Sequence, residues 1–259
     1  VERLWFTVYT DDDEAMELWK KVGAAPERIL RFDEKDNFWS MGETGPCGPC
    51  SEIHFDRGPD PHADGRAELV NGEGDDIVEI WNLVFMQFER DADGDLHPLP
   101  RPSIDTGAGL ERLAMVMQGA DTNYETDVFL PILEAVGELV GRDYDPADES
   151  APSFRVIADH VRATTFLMTD GVVPSNEGRG YVLRRIIRRA LRYGRKLGLD
   201  GAFMNTLLPV VVREMGDVYP ELVERQDVVS TQLRQEEERF ARTLNSGTDI
   251  AQKEIERIK

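Results

Sequence analysis

Asp105-Thr-Gly-Ala-Gly-Leu-Glu-Arg112 brings a carboxylate, two glycines spaced by one residue and a guanidinium into one short stretch. Asp105 offers a fixed negative charge suited to an ammonium group. Gly107 and Gly109 leave the backbone bare, so a flat ring or a phosphate can lie against it. Arg112 falls on the first turn of a helix-forming run and presents a planar, permanently charged fork for phosphate or for stacking on a base. These are the groups needed to hold an amino acid beside a nucleotide. The glycine spacing does not have the GxGxxG form, and by itself it is equally a strand-to-helix turn packed by glycines.

The preceding segments narrow the choice. Ile77–Phe88 is rich in β-branched and aromatic residues and reads as a long strand. Alternation puts Glu79, Trp81, Leu83, Phe85 and Gln87 on one face and Ile80, Asn82, Val84, Met86 and Phe88 on the other. Glu79 is therefore expected on the face opposite Asn82. Asn82 projects among apolar residues and needs a partner, because a buried amide without hydrogen bonds is costly. That partner is a backbone group, a water, or the carboxylate or amine of a substrate whose side chain Val84 would limit in size. Upstream, residues 36–53 (DNFWSMGETGPCGPCSEI) form a Gly/Pro-rich loop entering a strand. Its Cys47-Gly-Pro-Cys50 has the spacing of a redox dithiol, but a strand-like Glu52-Ile-His-Phe follows it where a redox motif would open a helix. One CxxC with His54 leaves a zinc site short of a ligand, so the cysteines are expected to be structural.

Composition sets the outer bounds. The chain has 259 residues, 41% of them hydrophobic, enough for one large or two modest soluble domains. No run approaches the roughly 18 apolar residues of a membrane span, there is no signal-like N-terminus, and two cysteines suit a reducing compartment; a cytoplasmic protein with no membrane partner is expected. The net charge of −20 argues against nucleic acid, but its distribution reverses that argument. Residues 1–150 carry 35 acidic and 12 basic side chains, whereas residues 151–259 carry 15 and 18. Arg179–Lys196 holds seven arginines and one lysine with no acid, a stretch that would attract RNA.

Periodicity gives the order of elements: a strand over Leu4–Thr10, a helix over Asp12–Val22, strands over Arg28–Phe32 and Ser51–Asp56, a polar loop over 58–74, the strand 77–90 and a turn at Asp93-Gly94. Helices follow over Leu110–Met117 and 127–141, then an acidic, proline-containing linker over 141–152. Beyond it every segment is helical: 154–169, 179–197, 204–218 and 221 to the end. The α+β reading is an antiparallel sheet flanked by helices, followed by an all-helical domain, with the boundary near 145. On the helix 179–197, Arg184, Arg188 and Arg192, and Arg185 and Arg189, form adjoining stripes at four-residue spacing. Within that helix no glutamate stands at the spacing that would neutralise them.

The blocks DNFWSMGETGPCGPCSEI, EIWNLVFMQF, PSIDTGAGLERL and PSNEGRGYVLRRIIRRA, in that order, resemble the alanyl-tRNA synthetase family of class II aminoacyl-tRNA synthetases over nearly the whole chain. The resemblance implies that Asp105–Arg112 is motif 3 and that residues 1–145 are the later part of a class II catalytic domain, with 146–259 a helical domain for the tRNA acceptor stem. It implies ATP-dependent activation of L-alanine and transfer to the 3′ end of tRNA(Ala). Asp105 and Arg112 are then catalytic, and Trp39, Asn82, Val84, Asp105 and Gly107 bind alanine. Trp39, Glu79, Gly107, Gly109 and Arg112 bind ATP, with Glu79 the candidate Mg²⁺ ligand. Asn176, Arg179, Arg184, Arg185, Arg188, Arg189 and Arg192 bind tRNA. Where some members carry asparagine after the residue equivalent to Glu177, this chain has Gly178, which shifts readout of the acceptor-stem G·U pair to Asn176 or a backbone group. Family members begin earlier, with motifs 1 and 2, and continue into an editing domain that holds zinc. The chain is therefore expected to be an interior slice that depends on those segments for catalysis. An RNA-binding module without catalysis and a thiol oxidoreductase are the alternatives.

Overall fold

The structure, a computed structural model, describes residues 2–258, without the side chains of residues 245, 248–256 and 258. It divides into two compact units, Val1–Asp121 and Thr122–Lys259.

The first unit is built on one six-stranded sheet. Strand β1 (Leu4–Tyr9) leads into α1 (Asp13–Lys21), which Asp12 caps by accepting the Ala15 N–H at 2.9 Å. Acids in the first turn and lysines in the last suit the helix dipole. The chain returns as β2 (Ile29–Phe32), parallel to β1. The sheet is therefore mixed rather than antiparallel, because a helical crossover between neighbouring strands leaves them pointing the same way. After α2 (Glu34–Asn37) come β3 (Phe38–Ser40), β4 (Gly45–Asp56), β5 (Ile77–Arg90) and β6 (Leu96–Ala108). The strand order is β2-β1-β4-β5-β6, with β3 paired to β4. Helix α3 (Leu110–Gln118) follows β6 directly.

Two stretches differ from the expectation. Residues 45–50, expected as loop, are strand. Gly48 permits this, since a Cβ there would lie 2.0 Å from the Phe85 carbonyl oxygen of β5. Strand β6 is long and exposed, and carries Pro98, Pro100 and Pro102; it stands at the sheet edge, where missing N–H groups are tolerated. On one sheet face Phe6, Val8 and Ile29 pack with Ala15 of α1; on the other, Trp5 and Ile77 pack with Val70 of the 58–76 segment.

The second unit is helical: α4 (Leu130–Val140), α5 (Ala151–Thr169), α6 (Gly178–Lys196), α7 (Met204–Met215) and α8 (Pro220–Ile258). The division falls at Asp121 rather than near 145, because Phe129, Ile132, Leu133 and Val136 are buried in the helical core with Phe154, Ile157 and Ile187. Each such side chain contributes about 1.5–3 kcal/mol when fully buried. Helix α7 has no cap of its own; Glu237 of α8 supplies one, accepting the N–H groups of Phe203, Met204 and Asn205 at 2.9, 2.7 and 3.1 Å.

Gly48→Ala is expected to lower stability by about 1–3 kcal/mol through overpacking between β4 and β5. Gly107→Ala, whose Cβ would meet nothing within 4 Å, is expected to leave stability unchanged. Denaturant titration of the two variants checks both.

Candidate functional site

The site in the first unit is set by strand register. Strand β6 pairs with β5 so that Asp105 stands opposite Val84 and Gly107 opposite Asn82. Strand β4 pairs with β5 so that Cys50 stands opposite Val84 and Glu52 opposite Asn82. Directly paired residues direct their side chains to the same face. Asp105, Gly107, Val84, Asn82, Cys50 and Glu52 therefore share one face of three adjoining strands. The Asp105 carboxylate is exposed and has no hydrogen bond or ion pair among the described residues. Gly107 leaves open backbone between it and Asn82.

Strict alternation fails one step further along. Ile53 pairs with Trp81 but His54 with Glu79, so Ile80 is the extra residue of a β-bulge. His54 lies on the Glu52 face, and Glu79 opposite it lies there too. Glu79 thus shares a face with Asn82, against the expectation. Arg112, on the first turn of α3, donates through Nη1 to the Glu79 carbonyl at 2.7 Å and to its carboxylate at 3.3 Å. The bulge therefore brings the two expected nucleotide-binding side chains together.

No cluster of three or more metal-binding side chains occurs among the described residues. Mg²⁺ is commonly held by one or two carboxylates with substrate phosphates, and the half-exposed Glu79 fits as one such ligand. Trp39 is half-buried in β3, opposite Gly48. Strands β4 and β5 lie between it and Asp105, so sheet pairing does not bring the two together.

Beside the site, on the same face, lies a polar network that sequence reasoning missed. Glu52, 7% exposed, accepts through Oε2 from the Thr7 hydroxyl at 3.2 Å, His54 Nε2 at 3.0 Å and Asn71 Nδ2 at 3.5 Å. Through Oε1 it accepts from Asn82 Nδ2 at 3.3 Å. Asn37 Nδ2 donates to Thr7 Oγ1 at 2.8 Å and to the Cys50 carbonyl at 3.1 Å. The available signal was the alternation of Glu52 and His54 with Ile53 and Phe55, which places polar side chains on one buried face. Both cysteines are free and buried within β4. Burial, followed by the charge of Glu52, pushes the Cys50 thiol up to about 12, far from a reactive thiolate.

In the second unit, α6 divides its arginines. Arg184, 8% exposed, makes an ion pair with Glu236 of α8 at 2.9 Å and donates to Asn176 Oδ1 and to the Pro174 carbonyl. Arg188 lies 3.6 Å from the same carboxylate. Arg184 is thus engaged internally, with its carboxylate partner on another helix rather than within α6, and it engages Asn176 in turn. Arg179, Arg185, Arg189 and Arg192 are exposed. Arg185, Arg188, Arg189 and Arg192 line a groove of about 510 Å³ with Val182 and Phe240.

A family model described as tRNA synthetases class II (A) matches residues 1–259. The chain belongs to the class II (A) tRNA synthetases. It is similar to the alanine–tRNA ligase of Acidithiobacillus ferridurans, at 54% identity over 256 residues, 98% of this chain and 29% of that protein. The alanine–tRNA ligases of Halorhodospira halophila (54% over 247 residues, 95% and 28%) and Legionella pneumophila strain Corby (53% over 259 residues, 100% and 30%) are similar to the same extent. This synthetase chain spans less than a third of the length of these relatives. No helix among the described residues is long and apolar enough to cross a membrane.

The segment that carries Asn71 over the site is tied down by Asp56. Burial pushes the Asp56 carboxyl up, but donation from Arg66, the Gly58 N–H and the Trp5 indole outweighs it and holds the group below the usual carboxylate range. A lowered folded pKa stabilises this synthetase unit above about pH 4 and loses that effect as pH falls through the folded value. The acid limb of the melting temperature is therefore expected to shrink in Asp56→Asn; identical limbs would show that the pair contributes nothing.

Proposed function

We propose that this chain supplies the amino-acid and adenylate half-site, and an acceptor-stem surface, of an alanine-activating tRNA ligase. The observation that carries this reading is the register that sets Asp105 and Gly107 across from Val84 and Asn82 on one face. The alanine ammonium pairs with Asp105, and Asn82 accepts beside it. Val84 limits the side chain to a methyl group. Gly107 and Gly109 leave room for the adenylate, Arg112 takes its phosphate or stacks on its base, and Trp39 walls the pocket.

In the first step a carboxylate oxygen of alanine attacks the ATP α-phosphate, and pyrophosphate leaves with the electron pair of the broken P–O bond. In the second, a hydroxyl of the terminal adenosine of tRNA attacks the adenylate carbonyl, AMP leaves, and the hydroxyl proton is released. Neither step needs a side-chain nucleophile; orientation and charge neutralisation carry the rate. Glu79 would hold Mg²⁺, which would neutralise charge on the phosphate oxygens. Arg179, Arg185, Arg189 and Arg192, with Arg188 at their edge, bind acceptor-stem phosphates. The groove lined by Arg185, Arg188, Arg189 and Arg192 also supports the second reading, an RNA-binding module without catalysis. One methylene or hydroxyl gives only modest discrimination, consistent with a separate editor for serine and glycine.

Calorimetric titration with a non-hydrolysable alanyl-adenylate analogue is expected to show saturable binding that Asp105→Ala abolishes. No binding by the folded chain would refute the half-site and leave the RNA-binding reading. Arg185→Ala and Arg189→Ala are each expected to weaken binding of an acceptor-stem RNA duplex and to lower the salt slope by about one. Unchanged affinity would refute the RNA surface.

A further inference from the structure

We infer that Glu52 is the positioning residue of the ammonium site: it orients the Asn82 amide and places a negative charge beside the bound amino group. The inference rests on the half-site reading above and deepens it. Glu52 Oε1 receives Asn82 Nδ2 at 3.3 Å. The nitrogen end of the amide is thereby held toward β4, which turns its oxygen away from Glu52. Asn82 Oδ1 is buried without a hydrogen-bond partner among the described residues. A buried acceptor left in this state is costly, and a donor brought by a ligand would satisfy it.

The neighbouring positions say what kind of donor. Gly107, directly opposite Asn82, leaves open backbone. Asp105 is the diagonal neighbour on β6, roughly 7–8 Å away at the backbone and within reach of a shared small ligand. A group that donates to both Asn82 Oδ1 and a free carboxylate has several N–H bonds and a positive charge, which is the chemistry of a primary ammonium.

Glu52 is suited to impose this. Thr7, His54, Asn71 and Asn82 all donate to it, so its carboxylate acts only as an acceptor, and no lysine or arginine pairs with it among the described residues. A glutamine there would keep the shape but offer one oxygen to four donors, and the Asn82 amide would be free to turn over.

The test compares two probes by calorimetry on this chain: the sulfamoyl analogue of alanyl-adenylate and its propionyl counterpart, which lacks only the amino group. The unsubstituted chain is expected to prefer the amino probe. Glu52→Gln is expected to reduce that preference about tenfold or more, the loss for a hydrogen bond to a charged group, with affinity for the propionyl probe unchanged. A retained preference, or equal weakening toward both probes, overturns the inference. If Glu52→Gln fails to fold, Asn82→Ala serves in its place, with the same loss expected and a retained preference equally fatal. Loss of preference in Asp105→Ala alone would uphold the half-site and reject the role of Glu52. Absence of any preference in the unsubstituted chain would overturn both.

Discussion

One residue more than regular pairing can accommodate, Ile80, sets the geometry of the first unit. Beyond the bulge, β5 alternates toward β4 and β6 in the ordinary way and gives Asn82 and Val84 to the Asp105 face. On its N-terminal side the alternation is inverted, and Glu79 stands on that face instead of the opposite one. Without the slip, Glu79 would face the α1 side and Arg112 would lose the carboxylate it meets at 3.3 Å. A bulge also increases local twist, at the point where the next turn delivers Gly109 N–H to the Ile80 carbonyl and opens α3. The carboxylate, the guanidinium and the glycine turn are thus consequences of one irregularity in one strand.

Much of this was legible in the residues. The long β5 strand, the helix after Asp105 and the five helices of the second unit all announce themselves by periodicity. Asp105, Asn82, Val84 and Gly107 were singled out by type, and the register gathers those four. What could not be read follows from features with no local signature. A bulge needs knowledge of the partner strand, so the face of Glu79 was misassigned. Strand β6 was hidden by its prolines, and the strand character of Gly45–Cys50 by its glycines, because both elements form through pairing rather than propensity. Glu52 and His54 looked like ordinary strand residues until β1 and Asn37 closed over them. Arg184 looked free because its carboxylate partner lies 52 residues away, in α8.

The two units use charge in opposite ways. In the first, Asp105 is among the exposed carboxylates without a partner among the described residues, while Asp56 and Glu79 meet arginines and Glu52 is surrounded by neutral donors and a histidine. In the second, a single buried carboxylate, Glu236, gathers Arg184, Arg188 and Arg239 and leaves the rest of the α6 stripe to solvent. Discarding the internally committed arginines leaves a narrower and more regular row than the raw count of basic residues implies.

Strand β6 has a further consequence for the chain in solution. A sheet edge is a template on which another chain can lay a strand, the first step of aggregation. Pro98, Pro100 and Pro102 lack N–H groups and blunt the first half of this edge. Residues 103–108 carry no proline, so the unprotected half of the edge coincides with the proposed ammonium and adenylate positions. Strand addition at β6 would therefore use the same six residues as the proposed ligand.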